Sequence, residues 1–438
     1  MVLKPDSKNP FYWSYNDKSV LLIGGSVEDN LFQIANLEAH LDLLASVGGN
    51  YVRCTMSSRD EGDVWPFLPN GDGSYELTQP NPVYWEKFER LLSLAQERGI
   101  IAQIEVWDRF DFARAPWQDN PLNPRNNHAY TAEASGLKEV IETHPGRRES
   151  AFFRSVPALE NNTVLLPYQH QLVDWLLEIS LKYPNVLYCM DNETNESPEW
   201  GKYWATQIKQ KAGAAGKTVY VTEMWDAWDL TDPQHNATLD HPELYGFVDV
   251  SQNNHNVGLN HWKNLQSVRQ RILESGQLRP MNMVKIYGAN TGQYGTHRDA
   301  QERLWRAVFG GVASARFHRP PHGLGLSDIA QKHIHALRQF TDAMTITQCE
   351  PHLDLIEFRS QNEAYCIANP GVEYGVFFPE GGNVRLIIDA DTPVSVRWMD
   401  IRKAAWHSEA SEVQPEGGKL TLETPTLEGY WAALVQYS

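Results

Sequence analysis

One feature constrains this chain more than any other: short apolar runs alternate with helix-period segments, over and over, for about 340 residues. SVLLIGGS is an apolar run closed by glycines. NLFQIANLEAHLDLLASVG follows it with apolar residues at helical spacing. The same pairing recurs as YVRCTMSS with VYWEKFERLLSLAQERG, then IIAQIEVWD with PYQHQLVDWLLEISLKYP. NVLYCMDNE precedes WGKYWATQIKQKAGAAGK, and TVYVTEMWD and YGFVDVSQNNH precede HWKNLQSVRQRILESG. MNMVKIYG and SARFHRP, each followed by a helical segment, complete eight strand units. A parallel strand needs a crossover to return to the same sheet, and eight such units in series predict a (β/α)₈ barrel. No GxGxxG turn follows a strand, which argues against a dinucleotide-binding sheet.

The pattern changes near Thr345. Period-2 runs such as LDLIEFRS, YGVFFPEGG, VSVRWMD and KLTLETP are separated by NPG and PEGG turns. They predict an antiparallel β-sandwich. The expected division is a barrel over residues 1–344 and a sandwich over residues 345–438.

Charge narrows the function classes. The net charge of −17 disfavours a nucleic acid or an anionic membrane surface as partner. No run of eighteen apolar residues offers a membrane span. The opening MVLKPDSKNPFYW has no apolar h-region, so a cytoplasmic location is expected, or a periplasmic or secreted one if a leader has been removed. Cys54, Cys189, Cys349 and Cys366 show no CxxC spacing, which speaks against a zinc site or a disulfide framework. Oligomeric state is not legible.

In a (β/α)₈ barrel the active site is built at the C-terminal ends of the strands. Here those ends are polar or aromatic on seven strands. They carry Arg53 on the second, Trp107, Asp108 and Arg109 on the third, and Asn192 and Glu193 on the fourth. Glu223, Trp225 and Asp226 follow on the fifth, Gln252, Asn254 and His255 on the sixth, Lys285 and Tyr287 on the seventh, and Arg316, His318 and Arg319 on the eighth. Trp107 and Trp225 are expected to stack on sugar rings. The arginines are expected to pair within the rim or to grip an anionic sugar. His318 and His322 in HRPPH are separated by Pro-Pro and lack an acidic cluster, so no metal is expected.

Asn192-Glu193 at the end of strand four resembles the Asn-Glu pair of clan-A glycoside hydrolases. NPFYWSYNDKSVLLIGGSVEDNLFQ resembles the start of bacterial glycosidase-like barrels. YGVFFPEGGNVRLIID and VSVRWMDIRKAAW resemble the β-sandwich, of the type labelled collagen-binding, that those barrels carry. The resemblance implies that Glu193 is the general acid/base and that Asn192 binds a sugar hydroxyl, with a carbohydrate substrate and no cofactor. It also implies a nucleophilic Glu on strand seven, where MVKIYGANTG offers only Lys285, Tyr287 and Asn290.

A second carboxylate is therefore sought on strand five, as Glu223 or, failing that, Asp226. If Tyr220 and Thr222 point inward, period 2 turns Glu223 outward and Asp226 takes its place. Glu193 as an acid needs a raised pKa, expected from desolvation in a Trp-lined mouth. Tyr287 is expected to contact substrate, since core and stacking tyrosines outnumber nucleophilic ones. The substrate-binding expectation covers Asn192, Arg53, Trp107, Asp108, Trp225, Asn254, His255, Lys285, Tyr287, His318 and Arg319. The function expected is hydrolysis of a poly- or oligosaccharide. A sugar-binding barrel without catalysis and a uronate lyase using Lys285 or Tyr287 are the alternatives. The excursion from Arg109 to Pro167 is expected to shape the cleft, being far longer than an ordinary βα loop.

Overall fold

The computed structural model describes residues 3–291, 294–360, 364–388 and 392–437. Gly292 in the loop after strand seven, and Asp389 and Ser438 at the ends of two expected sandwich strands, lie outside the described residues.

Eight parallel strands form the barrel: β1 (Leu22–Gly25), β2 (Tyr51–Thr55), β3 (Ile101–Asp108), β4 (Val186–Asn192), β5 (Val221–Thr222), β6 (Val248–Asp249), β7 (Met281–Ile286) and β8 (Ser314–Phe317). They pair in the order β5-β4-β3-β2-β1-β8-β7-β6. The β8–β1 pairing brings the ends of the chain pattern together, with Ser314 opposite Leu22. The remaining seam, between β5 and β6, is bridged where the Gly246 N–H donates to the Val221 carbonyl at 3.0 Å. Strands this apolar on both faces need helices outside and a filled barrel inside. The outer layer includes helices Leu37–Ser46, Pro82–Glu97, Leu166–Ser180, Pro198–Ala214, Gly258–Glu274, His297–Phe309 and Asp328–Asp342. The β5-to-β6 crossover holds a 3-10 turn, Pro233–His235, and a short helix, Asn236–Leu239.

The barrel interior is layered. Leu22, Tyr51, Ile101, Leu187, Cys189, Phe247 and Val284 form an apolar layer. Trp13 seals it from below, its Nε1 donating to Asn282 Oδ1 at 3.0 Å. Trp13 belongs to an N-terminal three-stranded antiparallel sheet, Leu3–Pro5, Trp13–Tyr15 and Lys18–Val20. Above the apolar layer, toward the strand ends, the filling turns polar.

The last barrel helix ends at Asp342 and the first sandwich strand, Glu350–Pro351, follows. Two antiparallel sheets enclose Val376, Phe378, Leu386, Leu422 and Val435. The opposite face of the larger sheet packs on barrel helices. Phe377 stacks on Trp305 at 5.6 Å between centroids, and Tyr365 lies 5.2 Å from Trp262. Barrel and sandwich thus share one apolar interface, which holds the sandwich on the helix layer.

Candidate active site

β4 decides the site. Cys189 points into the barrel, but Met190 belongs to the outer core and Asp191 contacts the outer face. Two successive outward residues break the period and return Asn192 to the axis. The chain then turns sharply: Glu193 has φ +58°. A glutamate in the left-handed region is strained, and such positions cluster at functional sites. The turn aims its carboxylate into the mouth.

Beneath Glu193 lies a closed ionic network. Arg53, 0 % exposed, binds both Glu105 oxygens, Asp29 and Asn192 Oδ1. Asn192 Oδ1 also accepts from Lys285 Nζ at 2.5 Å, and its Nδ2 donates to Asp108 Oδ1 at 3.1 Å. Asp108 and Asp29 both bind Arg59. Arg53, Asp29, Asn192, Asp108 and Arg59 each hold at least two of the others, and Glu105 is gripped through both oxygens by Arg53, so the floor of the mouth is tightly cross-linked.

The cleft above this floor encloses about 350 Å³, and its acidic lining is Asp29, Glu193 and Asp226. Arg59, Arg109, Lys285 and Arg319 are interleaved with these acids, and His144, His255, His318 and His322 also line the cleft. Phe110, Gln252, Tyr287 and Tyr294 complete the wall. Glu193 Oε1 accepts from Lys285 Nζ at 2.6 Å and from the Tyr287 hydroxyl at 3.1 Å. Its Oε2 lies 3.9 Å from Arg109 Nη2, and the same nitrogen meets Asp226 Oδ2 at 2.9 Å. Laid end to end, these two contacts keep the carboxylate oxygens within the lower part of the inverting-glycosidase range, roughly 6.5–9.5 Å, or closer.

Burial pushes the Glu193 carboxyl upward, but Lys285 and Arg109 overcome it and hold the group well below the usual carboxylate range. The expected acid with a raised pKa is therefore corrected: the mouth is lined with cations, not with tryptophan. Burial lowers the imidazoles of His144, His255, His318 and His322 below their ordinary value, so they are neutral near pH 7. Asp29, also buried, is held well below its usual range by Arg53, Arg59 and Arg319.

Of the sequence-expected residues, Asn192, Glu193, Asp226, His255, Lys285, Tyr287, His318 and Arg319 meet in the cleft. Arg53 and Asp108 lie in the floor. Asn254 stands behind the wall, its Oδ1 accepting from the Tyr287 N–H at 3.2 Å.

Three expectations are corrected. Glu223 does not reach the cleft. Tyr220 packs in the barrel interior and Met224 lies in it, so Glu223 turns outward. Its Oε1 accepts from the Asp191 N–H at 2.9 Å and the Met224 N–H at 3.0 Å, and its carboxyl presses on Gly201 of an outer helix. Trp107 also faces outward, 5.8 Å and 5.2 Å from Trp200 and Trp204, and lines a separate apolar cavity of about 50 Å³. Trp225 is buried, its Nε1 donating to Thr238 Oγ1 at 2.8 Å. Neither ring is available to a sugar.

The excursion is compactly folded around Phe112, Trp117, Phe152 and Phe153, and it sends Arg109, Phe110 and His144 into the cleft. Asp29, Arg59, His144 and Tyr294 are site residues that sequence reasoning missed. Asp29 follows β1 within SVEDN, and that polar strand end was the available signal. The other three come from loops whose path the local sequence does not encode. Among the described residues, no group of three or more His, Cys, Asp or Glu is placed to hold a metal ion.

No family model matches the chain, and no curated protein does. Solved structures do. A glycoside hydrolase family 5 protein from Bacteroides vulgatus superposes with a TM-score of 0.66 over 100 % of this chain and 93 % of its own, at 11 % identity. A structure described as a glycoside hydrolase gives 0.65 over 100 % and 97 %, also at 11 % identity. A family 5 mannosidase from Rhizomucor miehei gives 0.53 over 79 % of this chain and 98 % of its own, at 14 % identity. The chain thus has the fold of these glycoside hydrolases, an eight-stranded parallel barrel followed by antiparallel sheets, reached through a very different sequence.

Proposed function

We propose that the protein hydrolyses a glycosidic bond in a poly- or oligosaccharide. One observation carries the reading. Two carboxylates, Glu193 and Asp226, meet the same Arg109 nitrogen at the C-terminal mouth of a barrel with this fold. A glycosidase needs one group to protonate the leaving oxygen and an anionic group to act on the other side of the sugar. Glu193, held ionised by Lys285 and Arg109, suits the anionic role. Asp226, 35 % exposed and at the solvent side of the pair, is left for the leaving-oxygen side of the bond. The roles are thus the reverse of those the strand-four resemblance implies.

The test is a glycan and oligosaccharide panel assayed for new reducing ends, with Glu193→Gln and Asp226→Asn in parallel. Loss of a general acid or base typically lowers turnover by roughly 10²–10⁴-fold. Both variants are expected to lose activity on that scale while melting near the parent temperature. Parent-like turnover in both would end the assignment.

A further inference from the structure

The carboxylate pair leaves one well-placed group unused. Tyr287 directly follows β7, and its hydroxyl donates to Glu193 Oε1 at 3.1 Å. Its backbone is pinned on both sides: the N–H by Asn254 Oδ1 at 3.2 Å, the carbonyl by Arg303 Nη1 at 2.9 Å. Its ring lies edge-on to His318 at 4.5 Å and against Tyr294 at 4.6 Å. A tyrosine serving only as packing needs no such alignment of its hydroxyl with an ionised carboxylate. Glu193 itself is poorly placed to attack a sugar. Oε1 already takes two donors and Oε2 faces Arg109.

We propose that Tyr287 is the nucleophile of the reaction and that Glu193 is its base. The inference rests on the hydrolase reading above. In the first step Tyr287 Oη forms a bond to the anomeric carbon, and its proton passes to Glu193 Oε1. The bond from the anomeric carbon to the leaving oxygen breaks, its electron pair goes to that oxygen, and Asp226 supplies the proton. In the second step water attacks the same carbon and gives a proton to Asp226. The carbon–Tyr287 bond breaks, and the phenolate recovers its proton from Glu193. One water is consumed, both carboxyls return to their starting state, and the configuration is retained. Burial and the Glu193 charge keep the phenol protonated in the free protein. Its proton must therefore leave as the new bond forms, which requires a base already in contact. A tyrosine nucleophile has precedent among glycosidases.

The experiment starts from a panel of 4-nitrophenyl glycosides: neutral aldosides, uronosides and 2-keto-acid glycosides. With each glycoside that is cleaved, and with its fluorinated analogue bearing a good leaving group, the reaction is quenched in acid and the protein is peptide-mapped by mass spectrometry. A glycosyl adduct on Tyr287 and a first product of retained configuration by NMR are expected. Tyr287→Phe is expected to form no adduct and to lose at least about 10²-fold in turnover, with its melting temperature kept by the conserved ring. An adduct on Glu193 or Asp226, an inverted product, or Tyr287→Phe turnover within about threefold of the parent overturns the proposal. If no glycoside is cleaved, the hydrolase reading fails separately, and a small arylsulfonyl fluoride then decides the point. Preferential sulfonation of Tyr287 in the parent, lost in Glu193→Gln, supports a base-activated phenol. No preference for Tyr287 overturns it.

Discussion

Glu223, displaced from the cleft, has a testable consequence of its own. Its carboxyl and that of Asp191 are both buried, 1 % and 0 % exposed, on the outer side of the β4–β5 edge. Burial, together with the charge of the neighbouring Asp191, holds the Glu223 carboxyl well above its usual range; burial and Glu196 do the same for Asp191. The folded pair therefore keeps protons that the unfolded chain releases once the pH passes the ordinary glutamate value of about 4.3. Stability contributed by the protonated pair is complete below that value and is lost as pH rises toward the folded pKa. For each extra proton the folded state retains, the slope is about 1.4 kcal/mol per pH unit. Glu223→Gln removes one titrating group. It keeps an oxygen for the Asp191 and Met224 N–H donors and places an amide where Oε2 was. Relative to the parent, the variant should gain up to about 1.4 kcal/mol per unit from pH 5 to pH 6 and show no such gain below pH 4. Urea unfolding followed by tryptophan fluorescence at half-unit intervals measures the difference. Parallel stability curves for parent and variant across that window would refute the buried, protonated pair.

Lys285→Met removes the cation nearest Glu193, so the carboxyl pKa rises and the acid limb of the kcat/KM profile moves to higher pH; an unmoved limb would show that Lys285 does not set the ionisation of Glu193. Arg53→Met leaves buried Glu105 and Asp29 short of their shared cation, and unfolding should become easier by about 3–5 kcal/mol; a loss below about 1 kcal/mol would mean that the network is not tightly paired. Trp107→Ala should lower stability by about 3–5 kcal/mol with KM unchanged, because the ring packs on Trp200 and Trp204 and does not line the cleft; a raised KM with intact stability would return it to the sugar site.

The barrel was legible because its cause is local. Each strand declares itself by an apolar run and each helix by its 3.6-residue period, and short crossovers allow few topologies. The polar strand ends marked the rim for the same reason: Asn192, Glu193, Lys285, Tyr287 and His318 reach the cleft simply by terminating barrel strands. Side-chain direction at those ends was less secure. Period 2 correctly made the orientation of Glu223 depend on Tyr220 and Thr222. The strand-end position misled on Trp107, where two outward residues follow one another and packing against Trp200 and Trp204 selects the face.

Ionisation was beyond the sequence altogether. The pKa of Glu193 depends on Lys285, 92 positions away, and on Arg109, which directly follows β3, 84 positions upstream. Both cations act through distance, since a charge at 2.6 Å outweighs desolvation and one on the far side of the barrel does not. Composition and periodicity determined that this chain is a barrel with a polar mouth followed by a sandwich. The tertiary structure alone decided which carboxylates share that mouth, which one is held as an anion, and which hydroxyl points at it.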